Sequence, residues 1–142
     1  MWYYENEQYE YTPEEFQGFV YLITELDTDK KYIGKKNFWR PKTLPKNSKR
    51  TRRVKTRVES DWKSYYGSNK EVQILVERKG TSNYKRQILR LCTTKGEMSY
   101  YEAKLQFEHD VLLSDEYYNE FIGCKIHSKH IRKKSCSNID AT

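Results

Sequence analysis

Two tyrosines, Tyr21 and Tyr32, stand either side of a ten-residue interval that contains the turn signal Asp27-Thr28-Asp29-Lys30. A phenol can orient water or an anion, and as a phenolate it can take a proton. With an ordinary pKa of about 10, it needs help to do so near neutrality. The flanking residues predict a hairpin. Gly18 to Glu25 is β-rich, and Lys31-Tyr32-Ile33 reads as a short second strand stopped by Gly34. With the turn centred on Thr28-Asp29, Glu25 opposes Tyr32. Tyr21 has the parity of Glu25, so the two phenols share one face. Gly34 allows close approach of backbone to a ligand. A third group, Glu102, follows Met98 by four and precedes Leu105 by three, which puts it at the edge of a helix's buried face. A carboxylate there is costly unless paired, hydrogen-bonded or metal-bound. His109, seven residues further on, reads as solvated or packed.

Charge supplies a fourth element of chemistry. Residues 1–17 carry Glu5, Glu7, Glu10, Glu14 and Glu15 and no Lys or Arg, whereas Lys30 to Val58 holds thirteen Lys/Arg and no acid. The formal net charge of +7 is therefore the sum of an acidic arm, a strongly basic block and a nearly neutral remainder. The basic block needs an anionic partner or open solvent, and nucleic acid is the expected partner, through phosphate neutralisation and counterion release. The acidic arm is a candidate mimic of that charge, docking across the positive groove. Cys124, His127, His130 and Cys136 could in principle ligate zinc, but their spacing fits no usual finger, and the expectation is an incidental cluster.

The elements that must position these residues follow from periodicity. Pro41 and Pro45 break any long helix in the basic block, and a helical piece is expected from about Thr51 to Tyr65. Ser68-x-x-Glu71 reads as a capping box for a helix to Lys79, with Val72, Leu75 and Val76 buried and Gly80 ending it. Tyr84 to Cys92 predicts a third strand. Thr94-x-x-Glu97 caps a long helix to about Leu113, with a stripe of Met98, Tyr101, Leu105 and Leu112. The expected fold is α+β: a small three-stranded antiparallel sheet flanked by helices. The expected organisation is an acidic aromatic arm at 1–15, a domain at 16–122 with a basic insertion at about 38–65, and a basic tail at 123–142.

The paired strands resemble the signature of the GIY-YIG nuclease superfamily. Tyr32-Ile33-Gly34 matches its second half. Gly18-Phe19-Val20-Tyr21 is a relaxed first half, with Val20 for the Ile and the Gly one place upstream. Glu102 falls on the helix after the third strand, where the family carries a metal-binding glutamate, and Tyr118-Asn119 resembles its closing Tyr-Asn. Tyr65-Tyr66-Gly67-Ser68 resembles the Tyr-x-Gly-Ser pattern of a phage subgroup that includes homing endonucleases.

The resemblance implies phosphodiester hydrolysis on DNA. It implies Tyr21 as general base, Tyr32 positioning water or phosphate, Glu102 holding one Mg²⁺ or Mn²⁺, and Asn119 orienting the site. A hard cation with few protein ligands suits a lone carboxylate. The family's arginine on the first helix has no counterpart at the usual distance, so Lys35 and Arg40 are the candidate cations for transition-state charge. Lys36, Arg50, Arg52, Arg53 and Arg57 are the candidate DNA contacts. About twenty residues follow Asn119, which leaves sequence recognition to the insertion and tail. Double-strand cutting would need a homodimer or two encounters. The competing expectation is a catalytically inactive nucleic-acid-binding protein on the same scaffold.

Composition narrows the class further. At 142 residues the chain suits one domain. With 36% hydrophobic residues and no apolar run near the ~18–20 that a spanning helix needs, no membrane segment is expected. Three cysteines without framework spacing point to a reducing, cytoplasmic setting, and the subgroup resemblance to a phage-encoded protein in an infected bacterial cell.

Overall fold

The computed structural model of the protein describes residues 1–44 and 54–123. The chain runs β1 (Trp2–Tyr4), β2 (Glu7–Gln8), β3 (Gly18–Glu25), β4 (Lys31–Asn37), β5 (Trp39–Leu44), β6 (Val54–Glu59), α1 (Lys70–Lys79), β7 (Tyr84–Cys92) and α2 (Lys95–Glu108). Short 3-10 turns at Trp62–Ser64 and Thr81–Asn83 lead into the later elements.

The fold is α+β, but the main sheet has five strands rather than three, in the order β2-β1-β7-β3-β4. The two extra strands come from the acidic arm. Trp2 to Tyr4 pairs in parallel with Arg86 to Ile88, so the sheet is mixed. The physical reason is Trp2. Its indole is 2% exposed, packs edge-on to Phe19 at 5.0 Å, and donates from Nε1 to the Trp62 carbonyl at 2.7 Å. The arm's charges stay outside while Trp2 enters the core and Tyr4 and Tyr9 pack against it.

β3 is an interior strand, paired with β7 on one side and β4 on the other, and is covered on both faces, which is why it reads as a continuous apolar run rather than an alternation. Phe19, Tyr21 and Ile23 join Trp2, Phe38, Trp62, Val72 and Val76 on the side of α1. Val20 and Ile33 pack with Met98 and Val111 on the side of α2. The hairpin register pairs Ile23 with Tyr32 and Tyr21 with Gly34. The turn therefore lies one residue earlier than expected. Partners shift by two places along one strand, parity survives, and Tyr21 and Tyr32 do share a face.

Three further expectations are corrected. The segment expected as a helix from about 51 to 65 contains instead strand β6 and one 3-10 turn. β5 and β6 form a separate two-stranded ribbon with Arg40 opposite Val58 and Lys42 opposite Thr56. Val54, Thr56 and Val58 alternate as β-branched residues, a strand period, and Pro41 is tolerated because the ribbon has free edges. α1 is capped by Asn69, whose side chain accepts from the Val72 amide, so the cap is one residue later than Ser68. α2 starts at its Thr94 cap as expected but ends at Glu108, five residues early. Asp110 takes a positive φ of 50° there, and Leu112 and Leu113 are exposed.

Candidate active site

β4 is an edge strand, and its free edge determines where a site can form. Part of that edge is closed by the returning chain. The Lys31 amide donates to the Glu116 carbonyl and the Tyr118 amide to the Lys31 carbonyl, each at 2.8 Å. Next along, the buried Asn119 side chain spans Ile33. Oδ1 accepts from the Ile33 amide at 3.1 Å and Nδ2 donates to the Ile33 carbonyl at 2.8 Å. Gln106 Nε2 donates to the same carbonyl at 3.0 Å. The Tyr-Ile-Gly strand is thereby tied to α2 and to the Tyr-Asn pair by its own backbone.

Beside this closed edge lies a cavity of about 470 Å³, lined by Tyr32, Lys35, Ser68, Lys70, Glu102 and Asn119 among others. Because side chains alternate along β4, Tyr32 and Lys35 leave opposite faces of the sheet. They meet only because β4 is the edge strand and the cavity wraps around it. Tyr32 Oη lies 3.2 Å from Ser68 Oγ. On the other face, Lys35 Nζ donates to Ser99 Oγ at 2.7 Å and approaches the Glu102 carboxylate at 4.0 Å. The Glu102 side chain is 16% exposed. Burial pushes its carboxyl above the usual range, and the Lys35 charge partly opposes that.

Tyr21 is placed behind the cavity rather than on it. Its ring lies 6.3 Å from that of Tyr32 and 5.9 Å from that of Tyr65. Its hydroxyl is buried, with no hydrogen-bond partner among the described residues. Burial foremost, then Tyr65 and Tyr32, raise its pKa well above 10. Gly34 makes room for it, and Gly67 lies in ordinary contact. A Cβ at Gly34 would collide with Tyr21 Oη, and one at Gly67 would sit 3.6 Å from it. Gly67 also takes φ +98°, which disfavours any other residue and lets the chain turn from Tyr65 into Ser68.

The remaining expected residues are scattered. Arg40 does not line the cavity. It is exposed on the ribbon, near Asp61, and no described arginine lines the cavity in its place. The reason is that β5 leaves the body of the domain directly after Phe38. Lys36 pairs with Asp61 at 2.6 Å and lies 4.1 Å over the Tyr65 ring. Arg57 stacks on Trp39 at 4.4 Å and donates to the Glu14 carbonyl at 2.9 Å. Arg50, Arg52, Arg53 and the cysteine–histidine cluster lie outside the described residues. His109 caps α2 near Tyr117 and is not on the cavity. Sequence reasoning missed Ser99 and Gln106. The available signal was their spacing of three and four from Glu102, which puts all three on one helix face.

Residues 2–135 match the family profile described as "Putative endonuclease segE, GIY-YIG domain". The chain belongs to this GIY-YIG family. No curated protein and no solved structure matches it. The GIY-YIG match covers the arm as well as the expected domain, in keeping with β1 being a strand of the sheet. Among the described residues no helix is long and apolar enough to cross a membrane.

Proposed function

We propose that the protein is a metal-dependent endonuclease that hydrolyses DNA phosphodiester bonds in the cavity at the β4 edge. The observation that carries the reading is the convergence there of Tyr32, Lys35 and Glu102 from both faces of the sheet, on a chain of the GIY-YIG family.

The donor set was weighed against the cation. Among the described residues no cluster of three acidic, His or Cys side chains is close enough to hold a metal alone. Glu102 is a single, mostly buried carboxylate facing a polar cavity. That fits Mg²⁺ or Mn²⁺, which keeps water and takes substrate phosphate as ligands, better than it fits a closed protein site. When bound, the ion supplies charge to the phosphate and leaving oxygen and lowers the pKa of groups beside it.

This chain's own residues do the rest. Tyr32, held by Ser68, orients the attacking water or a phosphate oxygen. Lys35 places a positive charge where the pentavalent phosphorane gathers its negative charge. Tyr21, whose hydroxyl has no hydrogen-bond partner among the described residues and whose ring lies 6.3 Å from that of Tyr32, is the proton acceptor that the family resemblance implies. Burial opposes its phenolate, and a cation held by Glu102 would offset that cost. Asn119 keeps the strand carrying Tyr32 and Lys35 in register with α2. The second reading, a binder without catalysis, draws on the lack of a described arginine in the cavity; Lys35 is the answer to it.

Plasmid nicking with Mg²⁺ or Mn²⁺ separates the two. Wild type should nick, and Glu102→Ala should lose activity by at least about 10²-fold while remaining folded. Absence of cleavage by wild type across metals and salt supports the binder. Equal cleavage by both proteins removes Glu102 from the site.

A further inference from the structure

The β5–β6 ribbon has two unlike faces. Opposed residues share a face, so Trp39, Glu59, Pro41 and Arg57 lie on one, and Arg40, Val58, Lys42 and Thr56 on the other. The first face is occupied at its base by the arm. Trp39 Nε1 donates to the Pro13 carbonyl at 2.9 Å, Thr12 donates to the Glu59 carboxylate, and Arg57 is held between the Trp39 ring and the Glu14 carbonyl. Of the second face, Arg40, Lys42 and Thr56 are exposed, and no described hydrogen bond or ion pair engages the two cationic side chains. Asp61 is the acid near Arg40, and it is already paired with Lys36. The ribbon is hydrogen-bonded to neither edge of the main sheet. Each strand has six residues, a length of about 20 Å.

We infer that the ribbon enters the major groove of duplex DNA with its Arg40/Lys42/Thr56 face, and that the arm braces the opposite face. This rests on the nuclease reading for its partner and adds the recognition element. Three physical points support it. The major groove, about 12 Å wide, admits a two-stranded ribbon as it stands, whereas the minor groove at about 6 Å must be deformed to take one. The second face presents two exposed cations that no described hydrogen bond or ion pair engages, suited to phosphates and to guanine O6 and N7, with the Thr56 hydroxyl and methyl beside them. The bracing face uses its own cation, Arg57, internally, which makes the ribbon rigid at its base rather than available on both sides.

Binding is read without cleavage, using the full chain, EDTA and a labelled duplex of roughly 30 base pairs, about three helical turns. The double variant Arg40→Ala/Lys42→Ala should keep its far-ultraviolet circular dichroism, bind at least about tenfold more weakly, and reduce the salt slope by about 1–2. Methyl green, which fills the major groove, should displace the protein, and netropsin, which fills the minor groove, should not. The inference is overturned if the double variant binds within twofold of wild type, if netropsin alone displaces it, or if the substitutions instead dissolve a DNA-independent dimer. Because binding is read in EDTA and nicking with Mg²⁺ or Mn²⁺, failure of nicking and failure of the ribbon are separate results.

Discussion

Lys35 is the residue on which catalysis and inactivity divide. The described cations lining the cavity are Lys35 and Lys70, and Lys35 is the one beside Glu102. A lysine is a mobile point charge rather than a planar fork, so it can shift from the Glu102 carboxylate to a phosphate without a fixed bidentate geometry. Ser99 holds it in place meanwhile. Lys35→Met keeps the stem and removes the charge. Under saturating DNA it should slow nicking by about 10²–10³-fold with little change in DNA affinity, as expected of a group acting mainly in the transition state. Single-turnover rates within threefold of wild type would assign the clamp elsewhere. At this scale much of the site was legible. Tyr32, Lys35, Glu102 and Asn119 announce themselves by type and by order in the chain. Arg40 misled because proximity in sequence to the Tyr-Ile-Gly strand is not proximity in space once a ribbon departs from it. Tyr21 was placed on the right face, yet whether a phenol lines a cavity or backs it depends on packing by Trp2 and Tyr65, which strand parity does not carry.

Between elements, one buried carboxylate joins what the strands and helices leave apart. Glu25, 1% exposed at the end of β3, accepts from Thr28 in the turn, Tyr84 at the start of β7 at 2.6 Å and Tyr118 beside Asn119 at 3.0 Å, and pairs with Lys79 in the last turn of α1 at 3.1 Å. Burial pushes its carboxyl up, but these donors outweigh it and hold it below the usual range. A depressed carboxyl contributes stability that is present above the unfolded-state pKa and lost as pH falls through the folded-state value. Glu25→Gln should therefore unfold at lower urea than wild type at pH 7, by about 2–4 kcal/mol. The gap should hold down to about pH 5.5 and narrow below about 4.5, near the unfolded carboxylate pKa. A gap that widens on acidification would mean that Glu25 is not the charged acceptor. In sequence, Glu25 reads only as the end of the first strand. Its partners lie 59 and 93 positions away, beyond the reach of periodicity. The helix expected at 51–65 failed for a different reason. Charged residues between Val54, Thr56 and Val58 mask a period of two, and pairing with β5 supplies the hydrogen bonds that local propensity does not.

For the molecule as a whole, the charge asymmetry and the fold turn out to be separable. By its charge the acidic arm is a candidate to lie across the basic groove as a mimic of DNA. Among the described residues none of its five glutamates forms an ion pair, while Trp2 is at the centre of the core. The two views predict opposite effects. If the arm acts through charge, replacing Glu5, Glu7, Glu10, Glu14 and Glu15 by glutamine should loosen it, with an effect that fades in salt. If it acts as a strand, the glutamine variant should unfold within about 0.5 kcal/mol of wild type, the range of ordinary surface substitutions. Trp2→Ala should then lose about 3–5 kcal/mol, at low and high salt alike, because burial and packing are not screened. For a domain with a typical stability of 5–15 kcal/mol, that loss puts a visible unfolded fraction within reach of mild denaturant. Urea titrations of both variants at two ionic strengths decide between the views. A collapse of the glutamine variant that salt rescues, or a Trp2→Ala protein as stable as wild type, would return the arm to an electrostatic role. The expected pattern instead makes residues 2–4 a required strand, so removing the arm to free the basic surface would remove the Trp2 ring that packs on Phe19 and Tyr21.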